Sequence, residues 1–155
     1  YEDFDNNLGN HPGCFLDVTS TQLRADYDTL SGNRERVVLA LLNAQPAYRG
    51  FNAGKSVVEY SSYYWNSGAG SYALRNGWSG PLVDQVEGLF LSGVPNNCNP
   101  EIVIVGLLLQ SREPIYRTVR AQSFNSEYFT VPSVNSAHLH SFNEFVVAPK
   151  NVVLQ

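Results

Sequence analysis

The chain has 155 residues, of which 43% are hydrophobic and 15% charged, with 10 Lys and Arg against 14 Asp and Glu. This length suits one domain, and the 12% aromatic content argues against a disordered chain. No apolar run approaches the roughly 18 residues of a membrane span, and no basic run offers a surface for phosphate backbones. We therefore expect one globular domain over residues 1–155, with neither a membrane span nor a nucleic-acid partner.

The sequence at both ends of the chain suggests proteolytic processing. Residues 1–13 mix Gly and Pro with acids and amides, which predicts an irregular acidic arm. The sequence contains no Met and starts at Tyr1, so we expect that a signal peptide, a polyprotein segment or other upstream sequence has been removed. The ending Leu154-Gln155 resembles sites cut by viral 3C-like cysteine proteases.

The chain has two cysteines, Cys14 and Cys98. In an oxidising compartment they can pair, and the long loop between them would then contribute about 4–5 kcal/mol of stability. Two buried free thiols are the alternative. Neither cysteine has the CxxC partner or the nearby histidines of a zinc site.

The first third of the chain predicts helices. After a short strand at 14–18, Thr and Ser at 19–21 offer N-caps, and Leu23, Tyr27 and Leu30 recur at helical spacing before a stop at 31–33. A second helix is predicted over 34–43, although the adjacent valines Val37 and Val38 leave a buried strand as an alternative.

From residue 56 onward the pattern predicts strands. Residues 56–65 are β-branched and aromatic, and five further candidates follow at roughly ten-residue spacing: Leu82 to Leu91, Glu101 to Gln110, Ile115 to Phe124, Tyr128 to Val131 and Leu139 to Val147. We therefore predict a β-rich α+β fold, with an N-terminal helix or helix pair packed on an antiparallel sheet. A β-sandwich or barrel is the alternative.

A metal site is one candidate for function. On a strand His138, His140 and Glu144 would project to the same side, and two imidazoles with a carboxylate are a known metal-ligand set. The spacing resembles the first half of the cupin signature over Pro132 to Asn151. That resemblance implies a β-barrel enzyme with one divalent metal, held by these residues and a further histidine, although the glycines that flank the signature are missing here.

An aromatic segment is the second candidate. Within 19 residues the chain gathers tyrosines and tryptophans among Gly, Ser and Asn: Tyr60, Tyr63, Tyr64, Trp65, Tyr72 and Trp78. Tyr and Trp offer large amphipathic contact area at low entropic cost, while small polar residues adapt to a partner. The segment predicts a binding surface for a protein or glycan, and burial of about half of these rings in the core is the alternative.

The order of predicted elements, helix first and sheet after, resembles the small secreted ribonucleases of the T1 type and their non-catalytic fungal effector relatives. Catalysis there needs a Glu base with Arg and His near a phosphate. Arg117, Arg120 and Glu87 lie on strand candidates, but the histidines come after the last strand of such a fold, so no active site follows.

Taken together, these features favour a recognition module that works outside the cytosol, extracellular or on a virion or cell surface, without a cofactor. The rival hypothesis is a metal-dependent enzyme that uses His138, His140 and Glu144 with one divalent metal. A surface domain released from a viral polyprotein, or a secreted ribonuclease-like effector, is a third. The sequence leaves open whether the protein is an enzyme.

Overall fold

The computed structural model describes residues 14–42, 56–75, 77 and 80–148. All regular elements in these ranges are β-strands, numbered in chain order: β1 (Leu16–Val18), β2 (Gln22–Asp28), β3 (Arg34–Leu42), β4 (Ser56–Asn66), β5 (Ser71–Leu74), β6 (Gly80–Val94), β7 (Ile102–Pro114), β8 (Arg120–Gln122), β9 (Val134–Ser136) and β10 (His138–Val147). The described part of the chain contains no helix, so the predicted α+β fold with an N-terminal helix or helix pair is wrong. The predicted arm 1–13 lies outside the described residues.

Eight strands form one sheet in the order β1-β2-β3-β4-β6-β7-β10, and β5 pairs with β4. All pairings are antiparallel, which confirms the antiparallel sheet predicted for the second half of the chain. β8 and β9 form a separate two-stranded sheet in the connection from β7 to β10. Residues 128–131 are not a strand, and of the candidate at 115–124 only β8 is extended.

The β2–β3 hairpin occupies the segment predicted to be helical. Leu23 and Tyr27 are four residues apart, a spacing that places two side chains on one side of a helix and also on one face of a strand. In the hairpin they alternate with Arg24 and Asp26, which lie on the opposite face. Leu30, the third residue of the helical pattern, lies in the turn and is exposed.

The same hairpin explains the residues that predicted a helix end. Gly32 has a φ of 79°, and the N–H of Thr29 donates to the carbonyl of Asn33 at 2.8 Å. A positive φ suits glycine at a hairpin turn as well as at a helix C-terminus. The Ser-Gly-Asn stop at 31–33 therefore reverses the chain between two strands.

A disulfide and hydrogen bonds connect the start of β1 to the turn between β6 and β7. Cys14 and Cys98 form a disulfide bond. The side-chain oxygen of Asn99 accepts hydrogen bonds from the N–H groups of Phe15 and Leu16, at 2.8 and 3.0 Å. β1 also contacts β6, so the sheet curls until its first edge meets a strand that lies four places further along its order.

The curled sheet has an inner and an outer face. The inner face carries the buried core cluster of Val18, Val58, Val86, Leu89, Leu91 and Val103. On the outer face of β6, β7 and β10, the rings of Phe129 and Phe142 lie 5.7 and 5.8 Å from that of Phe90. A Cβ at Gly106 would lie 2.7 Å from the Phe142 ring, so this glycine makes room for the aromatic cluster.

Candidate functional site

The inner face encloses an apolar cavity of about 410 Å³. Its thirteen lining side chains come from β1, β2, β3, β4, β6, β7 and β10, and every one of them is aliphatic or aromatic: Leu16, Leu23, Leu39, Val58, Leu82, Val83, Leu89, Leu91, Val103, Val105, Leu107, Phe145 and Val147. Ligand sites of this size are common in proteins, and their walls are mainly apolar. The walls of this cavity can bury hydrocarbon but supply no hydrogen bond from a side chain.

The cavity has an exposed rim on β6 and β10. Leu82, Phe145 and Val147 line it, and each of them is exposed. β10 is the last strand in the order of the sheet and pairs only with β7 among the described strands. Its inner-face side chains therefore have a neighbouring strand of that sheet on one side only. Phe145 and Val147 are therefore the lining residues that a ligand entering along this edge would contact first.

The inner face becomes polar towards the β2–β3 turn. Glu35 lies four residues before the lining residue Leu39 on β3, a distance of about 13 Å along a strand. The Tyr27 hydroxyl donates to one carboxylate oxygen of Glu35 at 2.8 Å, and Arg75 Nη2 donates to the other at 2.6 Å. The register pairs Glu35 with Tyr27 on one side and with Tyr64 on the other.

These contacts determine the charges of the polar end. Partial burial, followed by the hydrogen bond and the negative charge of Glu35, raises the pKa of Tyr27 to about 12. The hydrogen bonds from Tyr27 and Arg75 lower the pKa of Glu35 below its ordinary value. At neutral pH the cluster therefore holds a neutral phenol, a carboxylate and a guanidinium, and its formal charges cancel.

The predicted aromatic set divides between the two faces. Tyr60 and Tyr64 are register partners of Leu39 and Glu35, so both lie on the inner face with the cavity and the polar end. Tyr63 and Trp65 alternate with them and lie on the outer face. Trp78 lies outside the described residues.

The outer-face aromatic residues pack on a buried ion pair. The rings of Trp65 and Tyr72 meet edge to face at 5.2 Å, and the Arg36 guanidinium lies 4.0 Å from the centroid of the Tyr72 ring. Arg36 also donates to both carboxylate oxygens of Asp26, at 2.7 and 2.9 Å. Tyr72 and Trp65 are thus partly buried, and Tyr72 contributes a cation–π contact to the fold.

The structure does not bring the predicted metal ligands together. His138 and His140 lie two residues apart on β10, but Nδ1 of the buried His140 lies 3.0 Å from the carbonyl oxygen of His138. Nδ1 of His138 lies 2.9 Å from the carbonyl oxygen of Ser111, and the Glu144 carboxylate accepts a hydrogen bond from the Ser126 hydroxyl. Among the residues that the structure describes, no three His, Cys, Asp or Glu side chains are placed to hold a metal ion.

The sequence patterns missed the cavity and its polar end. The lining residues are ordinary strand valines and leucines, contributed by seven strands, and only the sheet order shows which of them meet. Glu35 and Tyr27 flank the hairpin turn symmetrically, and a strand prediction for 22–28 and 34–42 would have paired them. Arg75 lies 40 residues beyond Glu35, and nothing in their spacing connects them.

Comparisons with protein-family models, with characterised proteins and with solved structures find no match for this chain. Within the described ranges, no helix is long and apolar enough to cross a membrane. The geometry of the inner face is therefore the basis on which a function can be assigned.

Proposed function

We propose that this domain is a binding module that takes an apolar ligand into the inner-face cavity. The observation that supports the proposal is the lining: thirteen side chains surround about 410 Å³, and all of them are apolar. Each Å² of apolar ligand surface moved from water into such a site contributes about 25 cal/mol. A polar ligand would lose its hydrogen bonds to water there without replacing them.

The proposal keeps the recognition module that the sequence favours and moves its contact region. Tyr60 and Tyr64 lie on the same face as the cavity and extend the binding surface towards the polar end. The predicted protein or glycan partner, and the origin from a viral polyprotein, stay predictions. The disulfide between Cys14 and Cys98 supports a site of action outside the cytosol, because such bonds persist in oxidising compartments.

A matched pair of variants on β10 tests the proposal. Phe145 lines the cavity and is 46% exposed, whereas Leu139 is 45% exposed and is not a lining residue. Both positions should tolerate a charge, so Phe145→Glu and Leu139→Glu differ mainly in where they place a carboxylate. The probe is pyrene, a fluorescent hydrocarbon without polar atoms, titrated with the purified chain.

We expect saturable, one-to-one binding of pyrene by the unaltered chain and by Leu139→Glu. Phe145→Glu should bind at least about ten-fold more weakly, because its carboxylate must be desolvated when a hydrocarbon occupies the rim. Leu82→Glu, at the exposed rim residue on β6, provides a second variant with the same expectation. The proposal is wrong if the unaltered chain shows no saturable binding, or if all variants bind pyrene equally.

A further inference from the structure

We infer that the ligand is a single-chain amphiphile with an uncharged, hydroxyl-bearing head, whose tail occupies the cavity and whose head meets the Tyr27–Glu35–Arg75 cluster. This inference rests on the proposed function and adds the chemical class of the ligand. It follows from two properties of the inner face: the apolar and polar parts are continuous, and the charges of the polar part cancel.

Continuity follows from the strand register. Leu23 pairs with Leu39 at the cavity wall, and Tyr27 pairs with Glu35 at the polar end. Between these two rows the inner face carries the register pair Ala25 and Val37, whose side chains are small or apolar. A ligand about 13 Å or more in length could therefore span from the wall to the polar row across Ala25 and Val37, which carry no charge.

The contacts of Glu35 define the preferred head group. One of its oxygens accepts from Tyr27 and the other from Arg75, and each carboxylate oxygen can accept a further hydrogen bond. An anionic head beside Glu35 would meet a like charge, and a cationic head would meet Arg75. A hydroxyl group avoids both repulsions, since it can donate to the carboxylate and accept from a neighbouring N–H or O–H.

Three ligands with the same tail separate the head-group preference from the apolar contribution. Dodecan-1-ol, dodecanoate and dodecylammonium are each titrated against the chain loaded with pyrene at pH 7, and their displacement constants are compared. We expect dodecan-1-ol to displace pyrene at a concentration about ten-fold or more below that needed for either ion. Equal displacement by the three would overturn the inference and leave the apolar cavity as the binding site.

A conservative variant tests whether Glu35 causes the preference. Glu35→Gln keeps the shape of the side chain and removes its charge, so dodecanoate should gain about ten-fold in affinity relative to dodecan-1-ol. Asp28→Asn, which removes a carboxylate one residue from Tyr27 on the outer face, should leave all three constants within about two-fold. A preference that Glu35→Gln does not change, or a preference of the unaltered chain for either ion, would contradict the inference.

Tyr27→Phe provides a second variant of the head site, with the Glu35 charge kept. It removes one hydrogen bond to the carboxylate, so the discrimination against dodecanoate should persist or increase. If no dodecyl compound displaces pyrene, the inference fails even though the cavity binds hydrocarbon. If pyrene itself does not bind, the proposed function fails, and the inference fails with it.

Discussion

Asp26 and Arg36 face each other across β2 and β3, and the carboxylate accepts two hydrogen bonds from the guanidinium, at 2.7 and 2.9 Å. The side chain of Arg36 is only 1% exposed. A second buried arginine, Arg24, has its Nη1 atom 3.7 Å from Asp26. The Asp26 carboxylate therefore lies beside two buried positive charges in the segment whose sequence predicts helices.

Removing the carboxylate of Asp26 should destabilise the domain strongly. In Asp26→Ala the buried Arg36 guanidinium loses the carboxylate to which it donates two hydrogen bonds, and breaking a buried pair costs about 3–5 kcal/mol. Asp28→Ala is the matched control, because Asp28 pairs with Arg34 at 3.4 Å where both side chains are more exposed, and such pairs contribute about 0–1 kcal/mol. Urea unfolding measures both; equal losses of stability would contradict the interpretation.

The disulfide should provide a large part of the stability of the domain. Cys14 and Cys98 are 84 residues apart, and closing a loop of that length stabilises the folded state by about 4–5 kcal/mol in the chain-entropy treatment. We expect the double variant Cys14→Ser and Cys98→Ser to lose about that amount in guanidinium unfolding. The unaltered chain in reductant should match the variant, and a loss below about 1 kcal/mol would show that β1 is held by its hydrogen bonds alone.

Tyr27 should lose its proton at a higher pH than an ordinary tyrosine. Burial and the hydrogen bond to Glu35 raise its pKa from the ordinary 10.0 to about 12. Ultraviolet absorbance of phenolate, followed as the difference between the unaltered chain and Tyr27→Phe, should show a tyrosine that ionises only near pH 12. In Glu35→Gln this titration should move to lower pH, since the negative charge that opposes phenolate is gone; no movement would contradict the proposed contact.

Glu35 should contribute stability that disappears in acid. Its pKa is lower in the folded chain than its ordinary value of 4.5, because Tyr27 and Arg75 donate to the ionised carboxylate. The stability that the ionised Glu35 contributes is thus complete above about pH 4.5, and it is lost as pH falls through the lower pKa that Glu35 has in the folded chain. Stability measured from pH 6 downwards should fall more steeply for the unaltered chain than for Glu35→Gln; identical slopes would mean that the ion pair does not affect stability.

Gly106 should resist substitution because of its contact with the aromatic cluster. A methyl group there would lie 2.7 Å from the Phe142 ring and 3.2 Å from the Phe129 ring, and overpacking of this kind costs about 1–3 kcal/mol. Gly80→Ala is the control, since a Cβ at Gly80 meets nothing within 4 Å. Thermal unfolding should show a loss for Gly106→Ala alone, and Phe142→Leu in the same chain should recover part of it.

Some features of the fold could be predicted because the sequence carries them locally. The β-branched and aromatic pattern at 56–65 predicts a strand, and β4 confirms it. The regular punctuation of the second half by Pro, Asn and Gly predicts an antiparallel sheet, and β6, β7 and β10 form one. The two cysteines were compatible with a disulfide, but their geometry came only from the structure.

The helices were predicted wrongly because local spacing was ambiguous. Two apolar residues four apart share one side in both a helix and a strand. Pairing with β3 selects the strand, since it places Asp26 against Arg36 and Asp28 against Arg34. A pattern confined to one segment contains no information about the charges on its neighbour.

The composition of the candidate site was harder to predict than the strands, because it depends on how distant strands pair. Strand alternation divides the aromatic segment, so that Tyr64 and Trp65, adjacent in the chain, lie on opposite faces. The candidate ligands His138 and Glu144 contact different partners, the carbonyl of Ser111 and the hydroxyl of Ser126, which spacing along one strand could not show. By itself the sequence determined which residues are apolar, aromatic or charged and where the chain favours extended structure. Only the curled sheet decided which of those residues meet, because pairing between distant strands sets register, and register assigns each side chain to the cavity or to the outer face.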